Sequence, residues 1–379
     1  MKAIVNGELI LRDHYLPNAT LLIDDGKIVD FGRAKDVKIP EGAEIIDAEG
    51  LYVGPGFVDI HTHASAGKEF KDDAVTPAKN FLKHGTTTVL AALYFSMNKE
   101  RYLQAIKGVK DAMKSGEVPN LCGIYMEGPY LNPKFGSDRA NNPWTGPVSK
   151  ADYQDIIDAC GDDVYVWALA PERENIEEFV KDCVKAKPGV KFSVAHSEAA
   201  PEQIERLMQY GLCIGTHHTN ATGDRPRYSE TRGVCVDETV NYNKDIYAEL
   251  ICDRMGIHVH PYMLRLVRQL KGDNRIILIS DAVVFDGPVP EGYEEATDIN
   301  FDFIGEIAGS NLTIDIACQN MMTHTGASLV DVFKFASLNP ATAIGMKDRG
   351  EIAVGKRADL VFVDHKVNVK KVILGGEIR

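Results

Sequence analysis

The sequence contains no C-x-x-C pair. Its seven cysteines (Cys122, Cys160, Cys183, Cys213, Cys235, Cys252 and Cys318) are scattered and odd in number, which argues against a disulfide framework or a thiolate zinc site. They read as reduced, small buried hydrophobes. Positive charge is also scarce, with 42 Lys and Arg against 55 Asp and Glu and a formal net charge of −13. Nucleic acid and anionic membranes both need a basic footprint, so neither is expected as a partner. An anionic substrate would need a local basic pocket. There is no low-complexity tract and no repeat short enough for a solenoid. A signal-peptide core is missing too. The opening stretch, MKAIVNGELILRDHYLPNATLLIDDGKIVDFG, alternates apolar and polar residues and turns at Asp25-Gly26, which is a hairpin pattern. The expectation is a cytoplasmic protein with no membrane part.

At 379 residues and 44% hydrophobic content, the chain is long enough for one catalytic unit of (β/α)₈ size and a smaller accessory module. Residues 1–54 carry short alternating runs, Ala3 to Val5, Thr20 to Ile23, Lys27 to Phe31 and Glu44 to Asp47, and read as antiparallel sheet. From Gly56 the pattern changes to short apolar runs alternating with amphipathic stretches, as in parallel strands covered by helices. Eight strands are predicted: Phe57 to His63, Thr86 to Leu93, Gly123 to Glu127, Tyr165 to Ala170, Phe192 to His196, Cys213 to His217, Ala248 to Cys252 and Arg275 to Asp281. Helices are predicted at Lys99 to Lys114, Ile176 to Ala186, Pro201 to Tyr210 and Tyr262 to Leu270. That alternation predicts a closed (β/α)₈ barrel over residues 55–349. A weakly periodic insertion, Val289 to Ser310, falls where it would cover the barrel mouth, and a helical stretch follows near Ser328 to Ser337. The tail from 350 to 379 returns to strand pattern and is expected to pair with residues 1–54.

In such a barrel the chemistry sits at the C-terminal ends of the strands. Five of the eight predicted strands end in a titratable residue. The first closes with His61-Thr62-His63, where period-two geometry puts both imidazoles on one side. Alone this motif is weak in a chain with eleven histidines. Strand three ends in Glu127 before a Gly-Pro break, strand five in His196, strand six in His217 with His218 beside it, and strand eight in Asp281. Each taken singly has a structural reading as a capping or hydrogen-bonded group. Together, four histidines and two carboxylates at the ends of five strands point to a divalent metal site. Imidazole and carboxylate without thiolate suit Zn²⁺ first, and also Fe²⁺, Mn²⁺ or Co²⁺. Asp281 reads as the general base for hydrolysis of an amide. His84, His260 and His324 read as structural or surface residues.

The stretches GPGFVDIHTH (54–63), MEGPYLNP (126–133), LAPE (169–172), AHSEA (195–199), THHTNA (216–221), GIHVHP (256–261), SDA (280–282), IAGSNLT (307–313) and the tail from 338 to 364 resemble the amidohydrolase superfamily. More narrowly they resemble the N-acetylglucosamine-6-phosphate deacetylases. The resemblance implies a barrel with a small β-sandwich built from both chain ends, a homodimer, one or two ions, and release of acetate from a phosphorylated amino sugar. It implies Glu127, His196 and His217 as main metal ligands, His61 and His63 as the additional ligands of two-metal members, and Glu127 as the bridge. Asp281 matches the acid/base, and His258 a substrate-contacting histidine that polarises the acetyl carbonyl. Asn220 and Ala221 match the phosphate-binding backbone, and Ala308-Gly309 the sugar pocket.

The departures concern substrate. Thr222 replaces a methionine and three arginines follow, Arg225, Arg227 and Arg232, of which Arg227 and Arg232 are the first choices for a phosphate contact. A histidine that some members place near Ser137 or Asp138 is missing, and His218 stands where an apolar residue is usual. Rival readings are the same chemistry on N-acetylgalactosamine 6-phosphate, an unphosphorylated amino sugar or an N-acyl amino acid, and a catalytically silent sugar-phosphate-binding relative.

Overall fold

The computed structural model describes residues 1–285 and 287–379. Eight parallel strands stand in sequential order: Phe57–Thr62, Thr86–Tyr94, Leu121–Glu127, Val164–Leu169, Lys191–Val194, Leu212–Gly215, Tyr247–Ile251 and Ile276–Ile279. Their composition explains the parallel arrangement. Runs such as TTTVLAALY and IILI are buried almost throughout, as strands covered on both faces must be. Alternate residues, among them Val58, Ile60, Leu90, Tyr125, Val166, Ile214, Ile277 and Ile279, form one buried cluster, the packed interior expected of a small barrel. The last strand meets the first through specific bonds: Asp281 N donates to His61 O at 2.9 Å, and Ser280 Oγ to Asp59 Oδ2 at 2.6 Å.

Helices cover the outside. Lys99–Ser115 starts where Asn98 accepts from Arg101 N and stops at left-handed Gly116, and Ile176–Ala186 follows the fourth strand. Pro201–Met208 and Pro261–Lys271 each begin on proline, which needs no N–H there. His260, beside the second of these prolines, is that helix's N-cap and accepts from Tyr262 N. No helix among the described residues is long and apolar enough to cross a membrane.

The chain ends build a second eight-stranded sheet, in the order Glu377–Ile378, Val369–Leu374, Leu360–Val363, Tyr52–Pro55, Lys2–Ile10, Tyr15–Asp24, Lys27–Arg33, with Glu44–Asp47 also on Lys2–Ile10. It has its own core of Ile4, Leu9, Leu21, Ile28, Val53, Leu360 and Phe362. The all-antiparallel expectation for residues 1–54 needs correction, because Lys2–Ile10 pairs parallel with both Glu44–Asp47 and Tyr52–Pro55. One edge of that first strand is filled by the hairpin, and the chain reaches the other only by crossing over, which reverses its direction relative to a hairpin. The weakly periodic insertion contains a short hairpin, Ile299–Phe301 with Ile307–Ser310. Its second strand is clipped beside the eighth barrel strand: Ser310 N donates to Asp281 O at 2.9 Å. Gly309 has φ +79°, and a Cβ there would lie 2.6 Å from Asp281 O, so only glycine allows this approach.

Candidate metal centre and active site

Three of the proposed site residues, expected to end their strands, stand beyond them. The fifth, sixth and eighth strands stop at Val194, Gly215 and Ile279. His196, His217 and Asp281 each follow two residues later in left-handed backbone, with φ of 42°, 28° and 45°. Such conformations are costly for residues with a Cβ and cluster where function requires them. Here they turn three side chains from the sheet over the barrel mouth.

The six candidates meet around Glu127. Its Oε1 lies 2.9 Å from His196 Nε2 and 3.2 Å from His217 Nε2, and those two nitrogens are 3.1 Å apart. Its Oε2 lies 3.1 Å from His63 Nε2 and 3.6 Å from His61 Nε2. Asp281 Oδ1 completes that second group, 3.3 Å from His63 Nε2 and 3.7 Å from His61 Nε2. Two clusters with donor atoms close enough to share an ion result, His61, His63 and Glu127 on one side and Glu127, His196 and His217 on the other. Every member is buried. His61 Nε2 and Glu127 Oε2 are buried with no hydrogen-bond partner, which is unfavourable unless a cation lies between them. The residues therefore fit divalent metal binding.

The electrostatics agree. Burial raises the Glu127 carboxyl, but His61, His196 and His217 outweigh it and hold the group well below the usual carboxylate range. Burial likewise raises Asp281, and His63, His61 and His217 bring it below its ordinary value. It is a carboxylate at neutral pH. His218 lies apart, bound through Nε2 to Asn241 at 3.1 Å and driven to a pKa of about 4, chiefly by burial. His84 pairs with Asp315 and His324 with Asp253 O.

A cavity of about 840 Å³ opens above this centre, lined by His63, Glu127, His196, His217 and Asp281 and also by Asn220, Ala221, His258, Ala308 and Gly309. That volume suits a small molecule. Asn220 Nδ2 donates to His258 O at 2.7 Å. His258 is buried with neither ring nitrogen hydrogen-bonded, and its Nδ1 lies 3.4 Å from Asp253 Oδ2. Arg227 and Arg232 are not brought to the cavity. Arg232 is exposed and bound to Glu238, Arg225 donates to Glu198 O, and Arg227 is exposed between them. The basic groups on the cavity wall are instead Lys71, Lys134 and Arg139. Each faces a carboxylate: Glu69, Glu198 and Glu306 respectively.

Two residues escaped the sequence reading. Asp253 holds the turn that carries His258, accepting from Met255 N, Ile257 N and His258 N. Glu249, on the seventh strand, reaches His61 Nδ1 at 3.1 Å. Its signal was a lone carboxylate inside the apolar run YAELI.

The sequence profile described as "Amidohydrolase family" matches residues 52–379. The chain belongs to this family. Within the family, it is 29% identical to the N-acetylglucosamine-6-phosphate deacetylase of Lysinibacillus sphaericus, over 98% of this chain and 97% of that one. It is 28% identical to the N-acetylgalactosamine-6-phosphate deacetylase of Escherichia coli O157:H7, over 98% and 97%. The crystal structure of N-acetylglucosamine-6-phosphate deacetylase from Pasteurella multocida superposes with a TM-score of 0.86 at 26% identity, covering 100% of this chain and 99% of that one.

Proposed function

We propose that this amidohydrolase removes the N-acetyl group of N-acetylglucosamine 6-phosphate, giving glucosamine 6-phosphate and acetate. The observation that carries the reading is Glu127, whose two oxygens each face a histidine pair beneath a cavity that also holds Asp281. Full-length likeness to deacetylases supplies the substrate class. His61, His63, Glu127 and Asp281 would hold one divalent ion and Glu127, His196 and His217 a second, zinc being the first choice for this donor set. When bound, such ions supply Lewis acidity that polarises an amide carbonyl and acidifies water.

The chain's own groups do the rest. Asp281 takes a proton from the attacking water on a carboxylate oxygen and delivers it to the amide nitrogen as the C–N bond breaks. Acetate and the free amine leave. His258, held by Asp253, turns a ring N–H toward the acetyl oxygen. Asn220, Ala221, Ala308 and Gly309 orient the sugar. Residues 55–349 form the catalytic unit and residues 1–54 with 350–379 the accessory one, and two such chains work as a homodimer in which Arg227 or Arg232 meets the substrate phosphate.

The galacto epimer is the second reading, motivated by the 28% identical E. coli relative. Acetate release by metal-supplemented protein separates the two. The expected order is N-acetylglucosamine 6-phosphate first, its galacto epimer next, and unphosphorylated N-acetylglucosamine far behind. Faster turnover of the galacto epimer reverses the assignment, and no release from any of the three removes it.

A further inference from the structure

Glu249 sits at the centre of the seventh barrel strand with a fully buried side chain. A carboxylate so placed loses several kcal/mol of hydration, and persists only where specific partners replace water. Its partners are few and pointed. Oε2 accepts from His61 Nδ1 at 3.1 Å and from the His217 backbone N–H at 3.4 Å, while Oε1 has no partner among the described residues. Among the described residues, the one ring to which its side chain is hydrogen-bonded is His61.

A carboxylate beside Nδ1 fixes that nitrogen as the one bearing the proton. When that ring is neutral, as a metal-ligating imidazole must be, its Nε2 lone pair is directed at Glu127 Oε2 and Asp281 Oδ1, 3.6 and 3.7 Å away. Neither oxygen carries a hydrogen to offer it, and Nε2 is left without a hydrogen bond. The arrangement of lone pairs is that of a cation site. His61 is also fixed by its face. It stacks on Tyr125 with centroids 4.3 Å apart and planes 17° off parallel, and the Tyr125 hydroxyl is bonded to Ser193 and Thr216, both at 2.9 Å. The other cluster is built differently. Nδ1 of His196 and of His217 has no hydrogen-bond partner among the described residues, so neither of those rings has an acid behind it at Nδ1.

We infer that Glu249 is a positioning residue that sets the tautomer and orientation of His61, and through it the affinity of the ion on the His61/His63 side more than that of the ion on the His196/His217 side. This rests on the two-ion reading above. Partners behind metal-ligating imidazoles typically govern affinity by 10–100-fold, and Glu249 stands behind the His61 ring while reaching His217 only through its backbone amide.

The test measures metal binding rather than turnover. Chelator-stripped full-length protein is titrated with Zn²⁺ by calorimetry and by competition with a chromophoric chelator, and bound zinc is counted after dialysis. His61→Ala and His196→Ala identify which binding step belongs to which side. Glu249→Gln keeps the volume and an acceptor oxygen and loses the charge, whereas Glu249→Ala loses both. Both should weaken the His61-side step, Ala by about 10–100-fold and Gln by less, and weaken the other step less in each case. In a His61→Ala background, Glu249→Gln should change nothing further, because its route of action is gone. Far-UV circular dichroism confirms that each variant is folded. Should the Ala variant not fold, Gln and the double variant carry the test. Equal weakening of both steps, or neither weakened, in a wild type that binds two ions overturns the role of Glu249 alone. A wild type that binds a single ion overturns the two-ion reading and this inference with it, while leaving deacetylation to be decided by acetate release.

Discussion

Asp281 illustrates how one side chain's role depends on where its backbone is held. Its amide donates to His61 O, its carbonyl accepts from Ser310 N, and its φ of 45° turns the carboxylate over the centre. Although burial works the other way, the three imidazoles around it keep it ionised. Asp281→Asn keeps the shape and an oxygen that can still hold the ion but removes the basicity, so kcat should fall by about 10²–10⁴-fold while zinc, counted by mass spectrometry at saturating metal, stays at the wild-type level. Near-normal turnover would show that proton transfer does not pass through this residue. The identities of the six clustered residues were readable from strand-end position alone. Their backbone was not. The apolar runs lead straight into His196, His217 and Asp281, and nothing in composition marks a non-glycine residue for the left-handed region, where it is disfavoured on its own and stabilised only by the fold around it. Glu249 was hidden for the opposite reason, since an acid inside a strand declares itself only when its partner, 188 positions away, is known.

At the scale of elements, the loop after the seventh strand shows how a turn aims a catalytic candidate. Burial raises Asp253, but the neighbouring His258 ring and the bonds from the Ile257 and His258 amides bring its pKa from 3.8 down to about 2. A depressed acid of this kind contributes stability that is present above about pH 4 and is lost as the pH falls through its folded pKa. Asp253→Asn should therefore cost about 1–3 kcal/mol at neutral pH, and the gap from wild type should narrow between pH 4 and pH 2 in denaturant titrations at stepped pH. A gap independent of pH would show that the charge on Asp253 is not what holds the turn. A second element-level feature is the joint between the terminal sheet and the barrel. A Cβ on Gly56 would lie 2.1 Å from Thr87 Oγ1 and 2.4 Å from its Cγ2. Gly56→Ala should destabilise by about 1–3 kcal/mol, and Thr87→Ala should recover part of that loss, because the atoms in the way are those it removes. Additive losses in the double variant would mean that the strain lies in the backbone. The eight barrel strands were legible because burial on both faces writes continuous apolar runs. The hairpin over the mouth was not, since strands of three and four residues are too short to establish a period. Pairing direction in the terminal sheet was equally invisible, because alternation is the same for parallel and antiparallel neighbours.

For the whole molecule, the question is where a substrate phosphate would find its positive charge. Lys71, Lys134 and Arg139 line the cavity, but each already faces an acid. The segment carrying Arg225 and Arg227 lies outside the cavity and exposes Tyr228 by 79% and Val234 by 53%. Exposed apolar groups flanking arginines on an otherwise polar loop fit a contact surface, and a symmetric dimer would let this loop serve its neighbour's cavity. Light scattering should then give about twice the 41.7 kDa chain mass. Arg227→Ala should raise KM for the phosphorylated sugar and leave the unphosphorylated sugar unaffected, because it removes binding to a group that does not react. If Arg227 acts across the interface, Arg227→Ala and Asp281→Asn fall in the same composite site of a mixed dimer and leave the other site intact. Equal mixing and reassembly gives half mixed dimers, each with one intact site of two, so activity at low substrate should recover to about a quarter of wild type. An arginine acting within its own chain predicts no such recovery, because every site would keep one of the two lesions. Recovery therefore distinguishes a shared site from two independent ones, and its absence in a proven dimer places phosphate recognition within a single chain.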